Sequence, residues 1–150
     1  MSKIIFTNSK GIISVIHPTS GNANDAIKDI PVGIATYSIV DDSTIPTDRS
    51  FRDSWIGQYI GLSTAYLTED INRARNIHKT NIRNARTPKL AALDVEFQKA
   101  QETSSGTAEI VDKKRVLRDA PAAAGIATAA NTTELKAQWD ISILGDSPYS

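Results

Sequence analysis

One stretch of the chain concentrates side chains that could bind an anion. It is INRARNIHKTNIRNARTPK, from Ile71 to Lys89, and it contains no carboxylate. Its cationic residues are Arg73, Arg75, Lys79, Arg83, Arg86 and Lys89, with His78 among them. Such a density of cations binds the phosphates of nucleic acid or the carboxylates of an acidic protein, or it forms the solvated side of a helix. Anion binding is therefore the first chemistry to weigh.

The placement of these cations favours the solvated helix. At about 100° per residue they cover most of the circumference outside an apolar stripe, so they form no single ridge. The run has no aromatic residue on which a base could stack, and acidic residues resume at Asp94 and Glu96. In the whole sequence 17 Lys and Arg balance 17 Asp and Glu. Contact with an acidic protein is the second interpretation, and nucleic acid the third.

Other residue types give no pattern of catalysis. The chain has no cysteine, and its two histidines, His17 and His78, lie in different predicted elements. None of the motifs HExxH, GxSxG, GxGxxG and GxxxxGK[ST] occurs, so zinc-protease, esterase and phosphate-binding chemistry is not indicated. Asp94 and Glu96 point to different faces of a helix because they are two residues apart. We expect no enzymatic activity, no cofactor and no metal.

The elements that carry these residues predict an α+β fold. Lys3 to Thr7 and Ile12 to His17 are rich in β-branched residues and flank the turn-forming residues 8–11, which indicates an antiparallel hairpin. Thr36 to Val40 predicts a third strand, after a short helical turn at Asn24 to Lys28. Residues 1–56 therefore form a small β module with one apolar face that needs a cover.

The cover could begin at FRDSW. Phe51 and Trp55 lie four residues apart, so one helical turn would place both rings on the same side and turn Arg52 elsewhere. The pair could dock the β module onto the later part of the chain, which is the preferred interpretation, or form an anchor for a partner. The glycine-bearing residues 57–67 are predicted to be a linker.

Residues 68–119 predict a long helical hairpin. Thr68 is a candidate N-cap, and apolar residues recur at helical spacing from Ile71 to Ala100. A continuous helix here would be on the order of 50 Å long and would need a partner to cover its narrow apolar stripe. Pro88 either kinks this helix or starts a new one capped by Thr87. A second helix from Ala108 to Asp119 would return along the first.

Residues 120–150 predict an alanine-rich linker, a short helix and a tail. Asn131 with Glu134 three residues later is the pattern of an N-cap, and Trp139 follows on that helix. We expect Trp139 to Leu144 to dock and the last few residues to fray. The first residues carry too short an apolar run for a signal peptide or a membrane anchor, so we expect no membrane contact.

Four segments in this order resemble a group of small proteins of tailed bacteriophages. They are DRSFRDSW, DINRARNIHKTNIRNARTPKLAALDVEFQKA, AEIVDKKRVLRD and TTELKAQW, and the resemblance covers roughly residues 28 to 139. The proteins of this group are hypothetical or virion-structural, are encoded near tail and tail-fibre genes, and carry no established activity. The opening β part and the wording IPxDRxFRxxW also resemble tail-fibre assembly chaperones, more weakly.

The resemblance implies a virion structural protein, located in the virion and, during assembly, in the host cytoplasm. It would be an adaptor that contacts phage tail or fibre proteins, or other copies of itself. A tail-fibre assembly chaperone that leaves the particle is the alternative, and a nucleic-acid-binding phage protein is the third. The candidate partner-binding residues are Phe51, Arg52, Trp55, Arg75, Lys79, Arg83, Arg86 and Trp139.

Overall fold

The computed structural model describes residues 1–149 and has the α+β architecture that the sequence predicts. The chain forms two compact units, of which the first is Met1–Arg73 and the second begins at Ala74. Within the described residues, all strands lie in the first unit, and the second unit is built from helices.

The first unit is organised around a three-stranded antiparallel sheet. Its central strand is β1 (Ser2–Thr7), with β2 (Ile13–Ile16) on one side and β3 (Ser38–Asp41) on the other. The predicted hairpin of β1 and β2 is confirmed. In its turn the Asn8 side chain accepts hydrogen bonds from the backbone N–H groups of Lys10 and Ile12, and Gly11 takes a φ of +69° that its lack of a Cβ permits.

Strand β1 is buried on both faces, whereas the sequence suggested only one apolar face. Ile4 and Phe6 pack with residues of a 3-10 helix, Ala23–Asp29, which corresponds to the predicted short helical turn. On the opposite face, Ile5 packs in a cluster with Trp55. Because successive side chains of a strand point to opposite faces, the consecutive apolar residues of IIF supply both clusters.

A second hairpin occupies the segment that was predicted to be a linker, and that prediction is wrong. β4 (Trp55–Gln58) pairs with β5 (Tyr66–Glu69) in an antiparallel two-stranded sheet. Thr68 belongs to β5 and is therefore not an N-cap. The Asp70 carboxylate instead accepts hydrogen bonds from the backbone N–H groups of Asn72 and Arg73, at 2.9 and 3.2 Å, which is the bonding that free N–H groups at a helix start require.

Helix α1 (Ile71–Glu102) runs without interruption through Pro88 and is about 48 Å long at 1.5 Å per residue. The alternative of a new helix starting at Thr87 is wrong. The Thr87 hydroxyl donates to the Arg83 carbonyl, 2.8 Å away and one turn back, instead of capping an N–H group. Proline leaves the carbonyl of Asn84 without its usual helical donor, and because Asn84 is exposed, water can take that place.

A Schellman motif ends α1. The backbone N–H of Ser105 donates to the Ala100 carbonyl at 2.8 Å, that of Ser104 donates to Gln101 at 3.1 Å, and Ser104 takes a φ of +52°. Helix α2 (Ala108–Asp119) follows, with the bounds that the sequence predicts.

Helices α1 and α2 form the predicted antiparallel hairpin. The Lys114 ammonium pairs with the Asp94 carboxylate and lies 5.2 Å from the centre of the Phe97 ring. Nearer the start of α1, Arg86 reaches the carbonyl of Arg118 at the end of α2. The residue numbers of α2 thus rise as those of α1 fall.

Three short α-helices complete the described part of the second unit. They are α3 (Ala124–Thr128), which lies in the segment predicted to be a linker, α4 (Thr132–Ala137) and α5 (Ile141–Leu144). The predicted cap of α4 is confirmed: the Asn131 side chain accepts from the Glu134 N–H, and the Glu134 carboxylate accepts from the Ala130 N–H. Ile126 and Leu135 are fully buried, so this segment supplies core despite its alanine-rich composition.

Candidate interaction surface

The predicted aromatic pair lies inside the first unit. Phe51 and Trp55 are each only 1% exposed, and they flank a 3-10 helix, Arg52–Ser54, instead of lying on one turn of α-helix. Trp55 begins β4 and packs on Ile5 and Val40. These rings offer no surface to a partner, so their assignment as a partner-binding anchor is wrong. Arg52 is exposed.

Three arginines of the basic run bind backbone carbonyls of their own unit. In the first unit, an Arg73 guanidinium nitrogen donates to the Gly11 carbonyl at 2.6 Å. In the second, Arg75 donates to Ala129 at 2.8 Å. Charge-assisted bonds of this kind fix loops against a helix. Three of the six cations of the basic run thus bond within their own unit, which the residue pattern did not predict.

Arg86 is the third of these arginines and caps the end of α2. Its guanidinium donates to the carbonyls of Leu117 and Arg118, at 3.3 and 2.6 Å. The last carbonyls of a helix lack internal donors and carry the negative end of the helix dipole, so a cation there is doubly favourable. Arg86 thus stabilises the hairpin, and its role in partner binding stays a prediction.

The remaining candidates are dispersed. Arg83 is exposed and Lys79 is half-buried, while Trp139 is 8% exposed. The Trp139 indole N–H donates to the Gly145 carbonyl at 2.9 Å, so this residue holds the tail in place and has little surface for a partner. The structure thus gathers the predicted partner-binding residues into no common site.

Trp139 belongs to an aromatic cluster that closes the second unit. The His78 ring stacks on the Tyr149 ring with 5.5 Å between their centres. Both rings make T-shaped contacts with the Trp139 ring, at 6.2 and 5.9 Å between centres. The prediction that the last few residues fray is wrong as far as Tyr149, because its ring and hydroxyl are held by α1. Ser150 lies outside the described residues.

Burial in this cluster favours the neutral form of His78. The Asn81 amide donates to the Tyr149 hydroxyl oxygen at 3.2 Å, and the same hydroxyl lies 2.7 Å from His78 Nδ1, where either group can be the donor. Burial lowers the pKa of His78 from its ordinary value and raises that of Tyr149. His78 is completely buried, so an imidazolium would lose its hydration there. The one hint of this burial in the sequence is that His78 lies four residues from both Ala74 and Ile82.

An open apolar groove of about 490 Å³ lies between α1 and α2. Its apolar lining comes from both helices and from α5, namely Ala92, Leu93, Val116, Leu117 and Ile143. Charged residues form its rim, and these are Lys89, Glu96, Glu109, Asp112 and Lys113. An apolar floor with a polar rim is the usual anatomy of a protein interface.

The apolar residues around this groove are more exposed than a helix hairpin needs. Val116 is 40% exposed inside the groove, whereas the half-exposed Val95 and Val111 of the same two helices do not line it. Single exposed valines are ordinary, but a continuous groove lined by Leu93 and Val116 is a surface that a partner can cover. The sequence predicted that α1 lacks cover, but the groove itself depends on the distance between two helices, which the residue pattern does not encode.

No group of three or more potential ligands among His, Cys, Asp and Glu is arranged to hold a metal ion in residues 1–149. Of the helices that the structure describes, none has the length and hydrophobicity of a membrane-crossing segment. The groove itself combines an apolar floor with charged rims.

Comparisons with known proteins do not extend this description. The chain matches no family model, no curated protein and no solved structure.

Proposed function

We propose that this chain works by binding other proteins and that the groove between α1 and α2 is its binding surface. The observation that carries the proposal is the apolar lining of that groove, in which Val116 is 40% exposed, with charged residues on both rims. Burial of such a surface is the dominant favourable term in protein association.

We further propose a biological setting from the resemblance to small proteins of tailed phages. The chain would be a non-enzymatic virion structural protein, an adaptor associated with the tail or tail fibre. The internal use of Arg73, Arg75 and Arg86 supports protein binding over nucleic-acid binding, because these cations already bond to carbonyls of their own unit.

Quantitative mass spectrometry of purified particles, compared with the lysate of infected cells, tests the setting. The phage used is one whose genome encodes this chain. Stoichiometric recovery in particles is the expected result. Abundance in the lysate together with absence from particles would refute the adaptor and favour an assembly chaperone.

Variants in that phage test the surface. Val116→Asp places a charge in the groove and is expected to reduce recovery in particles. Val111→Asp is the matched control, because it makes the same change on the same helix at a similar exposed position that does not line the groove. Equal recovery of the two variants would show that the groove is not needed for incorporation into particles.

A further inference from the structure

We propose that the groove between α1 and α2 is filled by α1 of a second copy of this chain, in a two-fold symmetric dimer. The inference deepens the proposed function and rests on it, since it names the partner of the same surface. It does not require the phage setting.

The α1 side of the groove is complementary to itself. Its lining residues Lys89, Ala92, Leu93 and Glu96 follow one another at spacings of three, one and three. They therefore lie along one face, with an apolar pair between a cation and an anion. A two-fold axis between Ala92 and Leu93 would bring Lys89 of each copy next to Glu96 of the other. The small side chain of Ala92 lets the two helices approach closely at the axis.

The α2 side of the groove extends the same charge pattern. Glu109 and Asp112 lie on the rim toward the Glu96 end, because α2 runs antiparallel to α1. Lys113 lies on the same rim and pairs with Glu109 at 2.7 Å, so the carboxylates there outnumber the cations. A second α1 that enters antiparallel to the first has its Lys89 at this acidic end. Complementary charges of this kind set the register and direction of an interface.

The groove therefore specifies more than an apolar occupant. It presents three carboxylates and one ammonium, that of Lys113, toward one end and Lys89 toward the other, so a ligand of one charge would meet net repulsion at one end. Helix α1 carries the required signs in the required order, with apolar Leu93 between them. The resulting arrangement of two hairpins is a four-helix assembly, which buries apolar faces that a lone hairpin leaves open.

A charge-exchange experiment tests the pairing of Lys89 with Glu96. In a symmetric dimer, Lys89→Glu places two pairs of carboxylates in contact, and Glu96→Lys places two pairs of ammonium groups in contact. Sedimentation equilibrium over about 1 µM to about 1 mM should show a wild-type dimer and a dissociation constant weakened roughly tenfold or more in each variant. An equimolar mixture of the two variants should restore association, because both contacts then join opposite charges.

A cross-linking experiment tests the position of the axis. The sequence has no native cysteine, so Ala92→Cys supplies one thiol beside the proposed axis, and Ala91→Cys supplies one on the far side of α1. Oxidation of the full chain should join the Ala92→Cys copies rapidly and the Ala91→Cys copies slowly. Circular dichroism of each variant confirms that it folds.

Three results would overturn the proposal. They are a wild-type chain that stays monomeric at about 1 mM, a mixture of the charge variants that associates no better than either alone, and equal cross-linking at the two cysteine positions. The recovery of the chain in phage particles is measured separately and does not depend on whether the chain forms this dimer. A failed dimer is thereby distinguished from a failed adaptor.

Discussion

Acid should weaken the second unit through His78. In the unfolded chain this imidazole takes up a proton around its ordinary pKa of 6.5, whereas burial lowers its pKa in the folded protein. Between the two pKa values the unfolded chain binds a proton that the folded chain does not bind. Protonation in this range therefore stabilises the unfolded chain relative to the folded one. We therefore expect the free energy of unfolding to be highest above about pH 6.5 and to fall as pH drops through the window below it.

The magnitude follows from the one proton that unfolding takes up. The free energy of unfolding should fall by at most about 1.4 kcal/mol per pH unit between the two pKa values. The groups that face the imidazole are the Tyr149 hydroxyl and the Trp139 ring, with the Asn81 amide and the Lys136 ammonium beyond Tyr149. None of these is an anion at this pH, so none offsets the charge of an imidazolium.

Urea denaturation at a series of pH values from about 7 to 5, followed by the helix signal in circular dichroism, measures this effect. His78→Gln remains uncharged and should lose the His78 part of the slope. When the free energy of unfolding of this variant is subtracted from that of the wild type at each pH, the contribution of the carboxylates that both chains share cancels. His17→Gln measures the separate contribution of the first unit, because partial burial and the cations Lys3 and Arg49 also lower the pKa of His17. Parallel curves for wild type and His78→Gln would refute the assignment of a neutral, buried imidazole.

Three further predictions concern the helical hairpin, and denaturant midpoints measure all of them. Arg86→Ala should lower the free energy of unfolding by about 1.5–3 kcal/mol, because it removes a charged donor from the carbonyls of α2. Arg83→Ala, at an exposed position, is the control. Equal effects of the two replacements would contradict the proposal that Arg86 caps α2. Pro88→Ala should raise it by about 1–3 kcal/mol, since α1 is continuous there, and a loss of stability would show that proline suits its backbone. Ser104→Gly should raise it by about 1 kcal/mol because of the positive φ, while Ser105→Gly should bring no such gain.

Local rules predicted much of the fold. The turn of Asn8 to Gly11, the bounds of α2 and the cap at Asn131 each depend on a few neighbouring residues. The prediction for residues 66–69 was wrong because Thr68 followed by acidic residues resembles the start of a helix. Only the pairing with β4 shows that these residues form a strand. A cap signal and a strand signal competed, and tertiary pairing decided.

The candidate site was less predictable for a different reason. The functional prediction for Phe51, Trp55 and Trp139 treated large rings as partner anchors, yet burial inside a unit satisfies them equally well. The roles of Arg75 and Arg86 depend on carbonyls more than 30 residues away in the chain. Spacing along one helix reports which side chains share a face, and it does not report what lies opposite.

The burial of the two tryptophans gives the chain its own optical reporters. The sequence has two, Trp55 in the first unit and Trp139 in the second. Each single replacement by phenylalanine leaves one indole whose fluorescence follows one unit. The Trp55→Phe replacement removes no hydrogen bond, since the Trp55 indole N–H has no acceptor among the described residues. Coincident red shifts in the two variants would mean that the units unfold as one cooperative body, and separate transitions would give each unit a stability of its own.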